Sequence, residues 1–234
     1  MRCHRPMSNV PAQPPTGVGL DGLRAAAATC RACELWEPAT QTVFGEGPET
    51  ARVVFVGEQP GDQEDRKGEP FVGPAGRLLD RALGDAGIDR RDAYITNAVK
   101  HFSFSVRGKR RIHETPRPEH VTACRPWLEA EFSVLKPEVV VCLGATAAKA
   151  LISPSFRITR DRGQLIPWTA PGVAAAEDDE ALASADEPDE GAPAQTWMLA
   201  TTHPSAVLRV PDEKRGEAYD ALVADLKVVA GALA

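Results

Sequence analysis

Short runs of consecutive apolar residues alternate along the chain with stretches whose apolar positions recur every three or four residues. Arg52-Val-Val-Phe-Val-Gly57 is such a run closed by glycine, the pattern of a strand buried on both faces of a parallel sheet. Asp92–Thr96 and Glu138–Leu143 predict two more strands, and Gln164–Pro167 and Trp197–Ala200 a further two. Helical periodicity covers Leu20–Trp36, with Leu23, Ala27 and Leu35 inward, and a second helix opens at Pro74 with Leu78, Leu79 and Leu83 along one face. Glu119–Leu135, Gly144–Leu151 and Glu213–Leu233 predict three others. Strands alternating with helices imply an α/β fold, a parallel sheet covered on both faces. In such sheets functional groups gather beyond the carboxyl ends of the strands. Here those segments are the loops Gly57–Gly73, Asn97–Pro118 and Thr202–Arg209.

Composition narrows the class without naming a chemistry. The chain has 234 residues and is 43% hydrophobic, enough for one core. No apolar run approaches the roughly 20 residues that cross a bilayer. Residues 1–19 hold Arg, Pro and small residues without an apolar centre, so they are expected to form a flexible tail and not a secretory signal. One domain over 20–234 and a cytoplasmic location follow as expectations. The net charge of −6 conceals an asymmetry, because eight carboxylates and no Lys or Arg fall within about 169–196. That segment has too few apolar residues to fold and is expected to be a disordered insertion. The remainder is mildly basic, with its cations concentrated at Arg107–Arg111, which is weak support for a polyanionic partner. On charge alone such a run is an ordinary solvated loop.

An odd total of five cysteines without a secretion signal argues against a disulfide framework. Cys30-x-x-Cys33 has the spacing of a chelating pair. Cys124 and Cys142 lie far off, one in a predicted helix and one in a predicted strand. Four ligands from separated elements suit structural zinc or an iron–sulfur cluster, and spacing does not choose between them. Buried, unligated thiols are the plain alternative for Cys124 and Cys142.

The loops carry polar groups suited to a planar ligand. Gly57-Glu58-Gln59-Pro60-Gly61 presents Glu58 and Gln59 at a strand end. Pro70-Phe71-Val72-Gly73 sets a ring among glycine and proline, where it can stack on a nucleobase. Asn97 offers a donor and an acceptor from one amide, matching the N3–H and O4 of uracil, although a strand-ending Asx turn explains it equally well in isolation. His203-Pro204-Ser205 follows the last predicted strand.

Taken in order, Gly57-Glu-Gln-Pro-Gly61, Pro70-Phe-Val-Gly73, Thr96-Asn97, His203-Pro-Ser205 and the four cysteines resemble the iron–sulfur branch of the uracil-DNA glycosylase superfamily. Each motif is short; the likeness lies in their order, spacing and strand-end placement. Lys109-Arg110-Arg111-Ile112-His113 with Gln59 is similar to the UdgX group, whose members become covalently attached to uracil-DNA. The resemblance implies a three-layer α/β/α sandwich with a central, mainly parallel four-stranded sheet. It further implies a [4Fe–4S] cluster on Cys30, Cys33, Cys124 and Cys142. Phe71 would stack on the flipped uracil, Asn97 would read its edge with Gln59 beside it, and His203 would donate to O2 of the leaving base. Glu58 stands where the branch holds an acidic residue that serves the attacking water. His113 matches the residue that reaches C1′ first in the UdgX group, giving one turnover and a permanent adduct. Lys109, Arg110 and Arg111 would fix their loop through protein carboxylates or DNA phosphates.

The expected partner is therefore uracil-containing DNA, favoured as a single strand because less must be unpaired, bound by a monomer. Competing readings are a multiple-turnover hydrolytic glycosylase, a non-catalytic metal-cluster DNA-binding or redox-sensing protein, and a zinc-stabilised nucleotide-binding protein.

Overall fold

A computed structural model describes residues 10–168 and 195–234. The acidic insertion expected at about 169–196 thus lies, but for its last two residues, outside the described residues, as does Cys3. In chain order the elements are α1 (Leu20–Ala27), β1 (Val53–Gly57), α2 (Asp62–Lys67), α3 (Pro74–Ala86), β2 (Ala93–Asn97), β3 (Phe104–Arg107) and β4 (Arg110–His113). There follow α4 (Pro118–Leu135), β5 (Val139–Leu143), α5 (Ala145–Leu151), α6 (Ile158–Asp161), β6 (Ile166–Trp168), β7 (Thr196–Thr201), α7 (Pro204–Arg209) and α8 (Asp212–Leu233).

The central sheet runs β2-β1-β5-β7-β6, parallel throughout except for β6, which pairs antiparallel with β7. It therefore has five strands where four were expected, the extra one being a short antiparallel edge. Strand side chains alternate between faces, and here each face has its own core. Val54, Val56, Tyr94, Val140 and Met198 pack with α1, α4 and α5. Val53, Phe55, Ile95, Val141 and Leu199 pack with α3 and α8. The result is the three-layer α/β/α sandwich. Both faces being covered explains why these strands read as unbroken apolar runs.

Three local features depart from the sequence expectations. The helix expected over Leu20–Trp36 ends at Ala27, and a separate 3-10 turn follows at Glu34–Trp36. The segment expected to trail as a tail is pinned at its inner end, where Val10 N–H donates to Ala32 O and Ala12 N–H to Ala123 O. The expected loop Asn97–Pro118 contains an antiparallel hairpin, β3–β4, standing apart from the main sheet. Its turn passes through Gly108 at φ +62, a left-handed conformation that glycine adopts without steric cost.

Candidate active site

The strand order lines up the carboxyl ends of β2, β1, β5 and β7 at one edge, and a cavity of about 680 Å³ opens there. Glu58, Gln59, Phe71, Asn97, His113 and His203 all line it. At its floor the backbone of Gly57 comes so close to its neighbours that a Cβ would collide with Asn97 Oδ1 and the Phe71 ring. Phe71 itself sits at φ 55, in the left-handed region that costs a non-glycine residue roughly 1–2 kcal/mol. The surrounding turn enforces that conformation, and it brings the Phe71 ring to 5.7 Å from the His203 ring, tilted by 35°.

Asn97 ends β2 with 2% of its surface exposed, yet its Oδ1 has no hydrogen-bond partner among the described residues. An unsatisfied buried acceptor costs roughly 1–3 kcal/mol. A ligand N–H in the cavity would remove that cost.

His203 caps α7. The Ser205 backbone N–H donates to His203 Nδ1 at 3.1 Å, with Ser205 Oγ 2.8 Å from the same nitrogen. A backbone N–H can only donate, so Nδ1 is the acceptor and the ring proton sits on Nε2. Burial, reinforced by Arg209 and His113, pushes the imidazole down to about 4. His203 is accordingly a neutral N–H donor at physiological pH, fit to stabilise negative charge growing on an oxygen.

Glu58 and Gln59 are held differently. Thr146 Oγ1, at the start of α5, donates to Glu58 Oε2, leaving Oε1 3.7 Å from His113 Nε2. The Gln59 amide is oriented by the Ser103 backbone, whose N–H reaches Oε1 at 2.9 Å. Gln59 Nε2 thereby faces Ser103 O at 3.2 Å, Glu114 O at 2.9 Å and His113 Nε2 at 2.9 Å. Facing a donor, a neutral His113 turns the Nε2 lone pair toward it and carries its proton on Nδ1.

The hairpin carrying His113 is clamped by Arg111. Its guanidinium meets Asp62 Oδ1 and Asp65 Oδ2 at 2.5 Å each, and lies over the rings of Phe104 at 5.0 Å and Phe102 at 5.4 Å. Of the two supports left open by the sequence, protein carboxylates hold Arg111. Lys109 and Arg110 are exposed at the turn.

A model of the uracil DNA glycosylase superfamily matches residues 44–227. The chain belongs to the uracil-DNA glycosylase superfamily. It is 44% identical over 140 residues to a type-4 uracil-DNA glycosylase of Thermotoga maritima, covering 59% of this chain and 69% of that protein. A type-4 uracil-DNA glycosylase of Pyrobaculum aerophilum is 36% identical over 188 residues, 80% of this chain and 83% of its own length. A DNA polymerase of Bacillus phage SP01 is 33% identical over 122 residues, 52% of this chain but 12% of the polymerase.

Within this superfamily fold, three of the four cysteines share a neighbourhood. Cys30 Sγ accepts the Trp127 indole N–H at 3.2 Å, Cys124 Sγ accepts the Lys100 backbone N–H at 3.2 Å, and the Leu35 backbone N–H bears on Cys33. Burial pushes the Cys124 thiol up to about 12, and Cys33 and Cys30 add to the rise. Sulfurs served by N–H donors suit thiolate ligands of an iron–sulfur cluster or metal. Cys142 does not join them: its Sγ lies 3.7 Å from Met198 Sδ in the core, and burial alone raises its thiol. Among the described residues, no three His, Cys, Asp or Glu side chains converge closely enough to hold a metal ion. Cys30, Cys33 and Cys124 are therefore neighbours that do not, as they stand, close into a ligand set, and Cys142 lies apart from them. None of the described helices is long and apolar enough to cross a membrane.

The sequence reading passed over Thr146, Asp62 and Asp65. Thr146 lies three residues past β5, beyond the same sheet edge that Glu58 occupies directly after β1, so the strand-end rule that selected Glu58 also reaches it. Asp65, fully buried beneath Arg111, left no signal, because it lies in the wholly polar run Asp62–Lys67.

Proposed function

We propose that this protein is a DNA base-excision enzyme that removes uracil and is then captured on the abasic sugar through His113. The observation that carries the uracil reading is the unpartnered Asn97 Oδ1 on a cavity that also holds Phe71 and the neutral Nε2–H donor of His203. Uracil meets these groups with an N3–H for Asn97 and an O2 for His203. Its flat ring suits the Phe71 face. Entry requires the base to leave its stack, at a cost of a few kcal/mol that is smallest in single strands, which makes single-stranded uracil-DNA the favoured substrate.

In the reaction the C1′–N1 bond breaks with its electron pair moving onto the base, where His203 Nε2–H stabilises the charge at O2. The sugar is left as an oxocarbenium-like cation that the Glu58 carboxylate stabilises. His113 Nε2 then donates its lone pair to C1′, and the product pair is a uracil anion and a glycosyl imidazolium beside Glu58. Gln59 makes this step easy to accommodate. Its two amide protons face three acceptors, so both remain bonded to Ser103 O and Glu114 O when His113 turns to carbon. Cys30, Cys33 and Cys124 would hold an iron–sulfur cluster in a structural role, and no step of the chemistry passes through it.

Incubation with a uracil-containing single strand, read on a denaturing gel, tests this. A heat-stable shifted band is expected. Free abasic strand with repeated turnover would instead identify a hydrolytic enzyme in which Glu58 activates water, and neither product would identify a binding module. His113→Ser should release uracil without forming the adduct; an adduct that persisted would overturn the assignment of the nucleophile.

A further inference from the structure

Beneath the cavity lies a charge pair that the chemistry above does not use. Lys100 and Glu131 are 1% and 0% exposed, and Lys100 Nζ is 2.6 Å from Glu131 Oε2. The other two Nζ protons go to Thr96 Oγ1 at 2.5 Å and to the backbone carbonyl of Asn97 at 3.0 Å. Glu131 Oε1 in turn accepts from Tyr94 Oη at 2.9 Å and Thr96 Oγ1 at 3.0 Å. Every donor of the ammonium is thus engaged. Pairs this deeply buried are weak devices for stability, since desolvation offsets their attraction and apolar replacements often serve as well or better. What this pair touches gives it another use. Asn97, whose carbonyl it holds, is the residue whose amide faces the cavity. Ala98 and Val99, between Asn97 and Lys100, donate to the carbonyls of Gly57 and Glu58 at 2.9 and 3.0 Å. At the far end of the segment the Lys100 backbone N–H is tied to Cys124 Sγ at 3.2 Å.

We infer that Lys100 is a positioning residue for base recognition: Nζ fixes the Asn97 main chain while Cys124 fixes the main chain of Lys100, making the cysteine neighbourhood and the base-reading amide one mechanical unit. This rests on the uracil reading of the cavity. It assigns the cysteines on α1's flank and α4 a reach into the pocket through four consecutive residues, 97–100, with no contact to the ligand. Loss of the Nζ hydrogen bond frees the Asn97 carbonyl and lets its amide drift from the plane of the base.

Removing Lys100 alone would strand a buried carboxylate, so the test uses the neutral pair Lys100→Met with Glu131→Gln, whose amide still serves Tyr94 and Thr96. Thermal unfolding of the holoprotein establishes that this variant folds. Titration calorimetry with free uracil should then show affinity falling about tenfold, the worth of one well-made polar contact. In single-turnover excision, the strand concentration giving half the maximal rate should rise in parallel with the maximal rate nearly unchanged, the mark of lost uniform binding; a general loosening would lower the maximal rate. Cys124→Ser should also weaken uracil binding, and the triple variant should be no weaker than the weaker of its parents. Unchanged uracil affinity in the folded pair variant, or losses that simply multiply in the triple variant, would overturn the inference. Wild-type protein that bound no uracil and released none would overturn the reading of the cavity, and this inference with it.

Discussion

The two sides of the cavity are built on opposite plans. One wall is formed by Asn97 at the end of β2, Phe71 in the loop before α3, and His203 two residues past β7. Each of its groups is fixed by a close contact or a hydrogen bond: Gly57 against Phe71, the Ser205 N–H on His203, Lys100 Nζ on the Asn97 carbonyl. The other side, His113, hangs on a hairpin outside the sheet and keeps 49% of its side chain exposed. Polar contacts from Arg111 and Gln59 hold it, and the buried Phe102 ring lies 6.0 Å from its imidazole. On the proposed reading, recognition is a property of the fold, while the fate of the sugar belongs to an appended element that can change without disturbing recognition.

The most severe way to break this contrast is on the rigid wall. His203→Ala removes the donor aimed at the leaving base and should slow uracil release by roughly 10²–10³-fold; the adduct should fall with it, since nothing is captured before the bond breaks. Single-turnover release of labelled uracil measures this, and unimpaired release would take His203 out of the chemistry. On the hairpin, Arg111→Met keeps the stem but unclamps β4 from Asp62 and Asp65. Adduct formation should fall about tenfold, the scale of a misplaced reacting group, with uracil release much less affected. If the two fell together, the separation of recognition from capture would be wrong. The last effect is on stability in acid. His203 titrates near 4 in the folded protein, below the ordinary value of about 6.5. Between those values the unfolded chain binds a proton that the folded chain refuses, so stability falls as pH drops through the window, by about 1.4 kcal/mol per unit. Below the folded value the loss levels off. Urea midpoints across the window should show a shallower decline in His203→Asn, and an identical decline would mean that His203 is not kept neutral by burial.

The same contrast decided what the sequence disclosed. Val53–Val56 and Val139–Leu143 are buried on both faces, so their apolar runs announced the strands, and the strand ends pointed to Glu58, Asn97 and His203. The hairpin Phe104–His113 gave no such signal. Its residues are mostly exposed, with no apolar run, and Arg111 joins it to α2 by contacts between residues 46 and 49 positions apart. The helix α2 is short and wholly polar, so no periodicity marked it. Cys142 shows a different limit: alternation along β5 assigns it to the same layer as Cys33 and Cys124, but a shared layer does not fix distance within it, and Met198 is its neighbour.

The Arg111 clamp bears on the ionic atmosphere of DNA. Counterions leave a duplex or strand when protein cations neutralise its phosphates, and the salt dependence of binding counts those cations. Arg111 is already neutralised by Asp62 and Asp65, so it adds nothing to that count. On the proposed reading, the hairpin's share of the salt sensitivity of binding is set by its exposed cations Arg107, Lys109 and Arg110, and the residue that orders the loop keeps its grip at ionic strengths that loosen the protein's hold on DNA.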